Sequence, residues 1–369
     1  MIRQLAILCS FLSLTLAVSA QGDLTKGLAA EEKGLYDLAE SYYRKAVDTS
    51  AQARLHLGML LEKQEHFSEA AQWLVKADSS ALAMTHLAVC QAEARDWEAA
   101  KRSAEKAIEQ AAEGDKAQKA SAMATLALAY CVDGELTNAI TWAHQAQEQD
   151  SKSVRALNVA GIIQFYRGND EEATKTFRKA VQADPKNIDA YFNLGSMYCY
   201  RNMPNLAITT LKKGLKEEQN SIKLLYCLGW AYLLKGESQN AIESLQRVIT
   251  KDSTYVDAYN RLGDIYFERG EYNQALAQYR KAIKLAPKQS EAYKLMGRTY
   301  AEMEEYGKAI SQYQKAVELN KKDAETYCHI AELYAKKKQP KREQANYKRA
   351  AKLGHAGAQK WCTQRGIAF

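Results

Sequence analysis

The stretch YCLGWAYLLKG, residues 226–236, is apolar on every side until Lys235. A helix of that kind is either buried all round or keeps one face free for a partner. It is too short to cross a bilayer, which takes ~20 apolar residues, and it carries no redox or metal motif. The surrounding sequence decides its setting. With Gly229 as an anchor, the segments around Gly161, Gly195, Gly263 and Gly297 align with it in successive steps of 34 residues, and Ala331 continues the series.

Around each anchor the same chemistry returns. A bulky residue stands four before it (Leu157, Tyr191, Leu225, Tyr259, Tyr293, Tyr327), and in five units a tyrosine stands three after it (Tyr198, Tyr232, Tyr266, Tyr300, Tyr334). Positions at that spacing share one face of a helix. Seven after the anchor, Gly168, Gly236 and Gly270 supply the left-handed residue that ends a helix. Twelve after it, Ala173, Ala207, Ala241, Ala275 and Ala309 open a second stripe, which runs on through Phe177, Leu211, Leu245, Tyr279 and Tyr313. Each unit is therefore two helices, with small residues where they meet so that the backbones approach closely. Pro185 and Pro287 fall between units, whereas Pro204 and Pro340 fall in the first turn of a second helix, where a missing N–H costs nothing.

This pattern on a 34-residue period resembles the tetratricopeptide repeat family. The resemblance implies an all-α fold, a right-handed superhelical α-solenoid of stacked antiparallel helix pairs. Upstream, KGLAAEEKGLYDLAESYYRKAV (residues 26–47) fits the pattern with Gly27 as anchor, and Gly58, Ala88 and Ala127 serve at the irregular steps of 31, 30 and 39 residues. The long step contains QAAEGDKAQK (residues 110–119), which reads as lengthened helices around a loop near Gly114. The expected organisation is a signal peptide over 1–20, four degenerate repeats over 21–150, six regular repeats over 151–349 and a capping helix over 350–369. That last segment resembles the Sel1-like relative of the repeat and reads as a helix that covers the open end of the stack with Trp361 inward.

Composition agrees with a helical chain. Of 369 residues 47% are hydrophobic and 26% charged, and four prolines and nineteen glycines leave little material for sandwich turns. At the start, Arg3 precedes an uncharged run from Leu5 to Ala20 that ends in small residues, the layout of a secretory signal peptide cleaved after Ala20. The mature chain would carry a charge of +6, and it is expected to be exported to the periplasm or cell envelope without a membrane span. Six cysteines would remain (Cys90, Cys131, Cys199, Cys227, Cys328, Cys362). None forms a CxxC, and all but Cys362 fall in predicted helices, so buried or groove-lining thiols are favoured over bridges.

In this family the first helix of each pair lines the concave face, and the exposed offsets would be three before the anchor and one, four and five after it. In the middle repeats that stripe is apolar: Ile162, Phe165 and Tyr166; Phe192, Cys199 and Tyr200; Tyr226, Trp230, Leu233 and Leu234; and Phe267. The opening stretch is thus apolar all round because Leu225, Leu228 and Tyr232 face the stack while Tyr226, Trp230, Leu233 and Leu234 face the groove. Aromatic anchors in a concave pocket are the stuff of binding hot spots; the alternative is that neighbouring helices cover them. Further along, Asp264, Glu268, Glu302 and Glu332 would make the end of the face acidic, either to steer a basic segment or as a solvated face. The family's carboxylate clamp aligns with Asn158, Ile162, Asn193, Lys223 and Cys227, of which Asn193 and Lys223 match.

The function this implies is a non-catalytic scaffold or adaptor that binds a segment of a partner protein. A carrier of a carbohydrate or lipid in the aromatic groove is the alternative. No HExxH, GxSxG or phosphate loop is present, and no two of the six histidines stand at metal-ligand spacing, so no cofactor or metal is expected. An aromatic and then acidic face does not suit nucleic acid.

Overall fold

The computed structural model describes residues 19–369. Among these residues every regular element is a helix. They run as α1 (19–32), α2 (Tyr36–Ala46), α3 (Ala51–Lys63), α4 (Phe67–Leu74), α5 (Ala81–Glu93), α6 (Trp97–Gln110), α7 (Lys116–Val132), α8 (Leu136–Gln149), α9 (Val154–Tyr166), α10 (Asp170–Ala183), α11 (Ile188–Tyr200), α12 (Pro204–Glu217), α13 (Ile222–Leu234), α14 (Ser238–Lys251), α15 (Val256–Glu268), α16 (Tyr272–Leu285), α17 (Glu291–Glu302), α18 (Tyr306–Leu319), α19 (Ala324–Lys336), α20 (Pro340–Lys352) and α21 (Ala356–Gln364). Two compact units divide within α11, one ending at Met197 and the other beginning at Tyr198. The expected signal peptide lies outside the described residues up to 18, and its cleavage point follows Ala20, which is buried within α1.

The first helix of each pair turns back at a residue in the left-handed region. Gly236, at φ 81°, donates its N–H to the Leu233 carbonyl while Glu237 donates to Tyr232, both at 2.9 Å. Those bonds satisfy carbonyls that a helix end would otherwise orphan. The same position, seven after the anchor, has positive φ in every repeat: Gly34, Glu65, Arg95, Gly134, Gly168, Asn202, Gly236, Gly270, Glu304 and Lys338. Glycine was the expected marker here, yet five of the ten are other residues. The turn geometry is thus common to all ten helix pairs, including those with irregular spacing.

In the first unit, α9 packs on α10, on α8 and on α7. The long helix α7, 17 residues, follows a short connection around Gly114 and contacts both α5 and α6. The stack therefore continues through the 110–119 segment. In the second unit, α13 packs on α14 and α12, and α19 on α20. The unit closes with α21, where Cys362 and Ala358 are fully buried and Trp361, half-buried, stacks on Tyr347 with ring centroids 4.3 Å apart. Cys362 lies in this last helix.

The anchors work by a finer device than close backbones. A Cβ on Gly161 would stand 2.5 Å from the ring of Phe177, and one on Gly297 would stand 2.7 Å from the ring of Tyr313. Gly27 and Tyr43, and Gly263 and Tyr279, repeat the arrangement. The absent side chain is the seat for a large residue of the second helix, sixteen positions on. Tyr43 and Tyr279 are in consequence wholly buried.

All six described cysteines are buried. Burial pushes the Cys328 thiol up to about 11 and that of Cys90 higher still, which disfavours the thiolate at both.

Candidate functional site

The stripe proposed from sequence lies on the first helices of the middle repeats. In the first unit, α9 presents Phe165, half-buried, and Tyr166, 60% exposed, with their rings edge to face at 6.0 Å; Phe192 on α11 is half-buried. In the second unit Tyr200 is 57% exposed, while Tyr226, Trp230 and Leu233 of α13 are half-buried and Leu234 is exposed. Phe267 of α15 is half-buried. Cys199 departs from expectation. It is 1% exposed, and its thiol is raised by a hydrogen bond with Cys227 and by burial. The small thiol at this offset faces the core.

Within α13 the two stripes separate as the anchor spacing requires. Leu224, Leu225, Cys227, Leu228, Ala231 and Tyr232 are buried, whereas the four groove residues keep solvent contact. The apolar surface left open thus survives formation of the stack.

The structure adds residues that sequence offsets missed. Tyr226 packs against Tyr255 with centroids 5.4 Å apart, and Arg261 Nε donates to the Tyr226 hydroxyl at 3.3 Å. Burial pushes the Tyr255 phenol up to about 12. Phe267 sits between the ring of Tyr272 at 5.6 Å and the guanidinium of Arg298 at 4.1 Å. Asn260, on the same offset as Tyr226, is 8% exposed with its Oδ1 unbonded among the described residues. Tyr255 lies eight before an anchor, in the connection, where no helical stripe would have marked it.

The acidic end is less free than its sequence implies. Asp264 accepts from the Tyr279 hydroxyl at 2.9 Å and pairs with Arg298 at 3.0 Å. Burial raises its carboxyl pKa against those two partners. Glu268, Glu302 and Glu332 are exposed, with Glu332 3.5 Å from His329. Three carboxylates of the four thus remain turned to solvent. The clamp residues Asn193 and Lys223 are both half-buried. Among the described residues no three His, Cys, Asp or Glu side chains converge as a metal site would require, and no helix is long and apolar enough to cross a membrane.

A TPR repeat model matches residues 161–199, 263–304 and 297–338, and further tetratricopeptide repeat models match 24–52 and 224–254. Together with ten helix pairs that share one turn geometry, these matches define the class: the chain belongs to the tetratricopeptide repeat family, whose members are protein-interaction scaffolds. Residues 350–369 lie outside the matched segments. Among solved structures the chain is similar to MamA, with 33% identity over 45% of this chain and 96% of that one, at a TM-score of 0.40. It is similar in fold to the Cut9–Hcn1 hetero-tetramer of the APC/C, at 13% identity, 95% and 98% coverage and a TM-score of 0.52. Yeast Tom70 gives 13% identity, 94% coverage of each chain and a TM-score of 0.53. A comparison with curated proteins finds no match.

Proposed function

We propose that the protein is a non-catalytic scaffold of the cell envelope that holds an apolar segment of a partner protein on the first-helix stripe of its second unit, at Tyr226, Trp230, Leu233, Leu234 and Phe267. The observation that carries this is the division of α13. Its stack face is already filled, and the aromatic stripe beside it keeps solvent contact. Rigid aromatic side chains flanked by Arg261 and Arg298 match the composition of binding hot spots. Glu268, Glu302 and Glu332 would favour a partner segment with a basic end. Phe165, Tyr166 and Phe192 give the first unit a smaller stripe of the same kind.

Export rests on Arg3, the apolar run and the small residues before Gln21. The test joins both points. The full chain is expressed with its leader, fractionated, and its mature N-terminus sequenced, with Gln21 expected. Capture from envelope extract is then compared with a Tyr226→Ala, Trp230→Ala double variant of unchanged helical circular dichroism. A protein retained by the wild type and lost from the variant supports the stripe; identical capture by both removes it.

A further inference from the structure

A second site lies in the first unit, away from the aromatic stripe. Between α8 and α10, with α9 as its floor, the structure holds a cleft of about 220 Å³. Its origin can be read from the repeat. From the second repeat on, the residue just before the anchor is bulky and buried at Leu57, Leu87, Leu126, Leu194, Leu228, Leu262, Met296 and Ile330; in the fifth repeat it is Ala160. Three after the anchor, where five of the six regular repeats and Tyr130 place a tyrosine, the fifth has Gln164. Both shortenings coincide here, and the cleft is the volume they leave.

The second unit shows what normally fills this place. There the tyrosine ring lies between successive second helices and is met by the residue seventeen after the preceding anchor. Lys212 stands over the Tyr232 ring at 5.6 Å, Arg280 donates to the Tyr300 hydroxyl at 3.2 Å, and Gln314 donates to that of Tyr334 at 3.3 Å. For the fifth repeat the corresponding residue is His144 of α8, and it faces open space instead of a ring. Gln164 does not substitute, because its Oε1 is engaged by Asn169 at 3.0 Å.

The rim of the cleft carries two cations, Arg167 and Lys179, beside His144. Among the described residues no carboxylate pairs with any of them. Glu172, the acidic member of the rim, is paired with Lys175 at 3.3 Å. The volume falls below the ~300 Å³ of a drug-sized site and suits one ring.

From these features we infer that the cleft is a binding site for an aromatic ring bearing, or flanked by, a carboxylate. The ring takes the place of the missing tyrosine on Ala160 and Ile163, and the carboxylate meets Arg167 and Lys179. Burial of the ring supplies the apolar part of the affinity, and the guanidinium supplies the charged hydrogen bonds.

The test uses the full chain and saturation-transfer NMR with two probes, free hydroxyphenylpropionate and a capped Asp-Tyr-Asp peptide. Ethylphenol serves as the ring without its charge. Saturable binding of either charged probe in the millimolar range or tighter is expected, with the better one naming the source of the ring. Gln164→Tyr restores the residue of the neighbouring repeats and closes the cleft, so it should fold, raise the urea midpoint and abolish binding. Arg167→Gln with Lys179→Gln should weaken the charged probes roughly tenfold and leave ethylphenol unaffected. Absence of saturable binding to the wild type, or binding undiminished in Gln164→Tyr, overturns the site.

Discussion

The guanidinium carbon of Arg298 stands 4.1 Å from the centroid of the Phe267 ring. The two residues lie on the first helices of consecutive repeats, α17 and α15, and the same guanidinium holds Asp264 at 3.0 Å. One side chain thus shields an aromatic anchor and neutralises the carboxylate beside it. The apolar and acidic parts of the stripe, separate in sequence, are joined through it.

Replacing Arg298 by Ala should therefore uncover Phe267 and leave Asp264 with the Tyr279 hydroxyl alone. Both Arg298 and Asp264 keep solvent contact, so the cost to stability is about 1 kcal/mol. Urea unfolding of the second unit measures it. Arg298→Lys retains the charge but loses the planar stack on the ring, and should recover only part of the difference. A variant as stable as the wild type would show that the contact contributes nothing.

The repeat, the helix pairs and the exposure of the stripe were legible because they follow from spacing: a 34-residue period returns the same face to the stack. Tyr255 and Arg261 were not, since they reach Tyr226 from a connection and from an offset just beside the anchor, and only packing brings them there. Cys199 was misplaced by the same rule that placed Trp230. The offset four after the anchor sits at the border of two faces, and a small thiol goes inward where Leu233 and Phe267 remain half outside. The cleft beneath Gln164 was invisible for another reason. Its signal is the absence of two side chains, and absence shows only against the register of the other repeats.

The glycine anchors should differ in their tolerance of a methyl group. At Gly161 and Gly297 the obstacle is an aromatic ring held flat against the backbone, at 2.5 Å and 2.7 Å from the new Cβ. At Gly229 it is the branched end of Leu245, at 3.1 Å, which can turn aside. Gly161→Ala and Gly297→Ala should lose about 1–3 kcal/mol through overpacking. Gly229→Ala should lose clearly less, since helix propensity favours alanine there. Gly114→Ala, with open space around it, is the neutral control. Thermal and urea unfolding give the order, and equal losses at all four positions would contradict the ring-seat account.

Asp323 ties α19 to its neighbour. It caps the helix by accepting from the Thr326 N–H at 3.1 Å and from its hydroxyl at 2.8 Å, and it lies 3.4 Å from Lys294. Burial opposes its charge, but Thr326 and Lys294 outweigh burial and hold the carboxyl below its ordinary 3.8. A depressed folded pKa gives stability that is present above the unfolded value and is lost as pH falls through the folded one. Asp323→Ala should cost about 1–2 kcal/mol at neutral pH. The gap from wild type should then narrow in urea melts below the ordinary aspartate range, and a gap independent of pH would show that the charge has no part in it.

The left-handed position after each first helix offers the clearest route to a more stable chain. Glu304 and Lys338 hold φ at 58° and 56°, where a Cβ crowds the following carbonyl at a cost of roughly 1–2 kcal/mol. Glycine removes that crowding and gives back part of the gain as greater freedom in the unfolded chain. Glu304→Gly and Lys338→Gly should each raise stability by about 0.5–1 kcal/mol. The reverse change at Gly236, whose φ is 81°, should lower it by about 1 kcal/mol. Because the two gains lie in adjacent repeats, the double variant should raise the unfolding midpoint by more than either single change. Circular dichroism melts of the wild type and the four variants test the order. A Glu304→Gly chain no more stable than the wild type would mean that the glutamate side chain offsets its own strain.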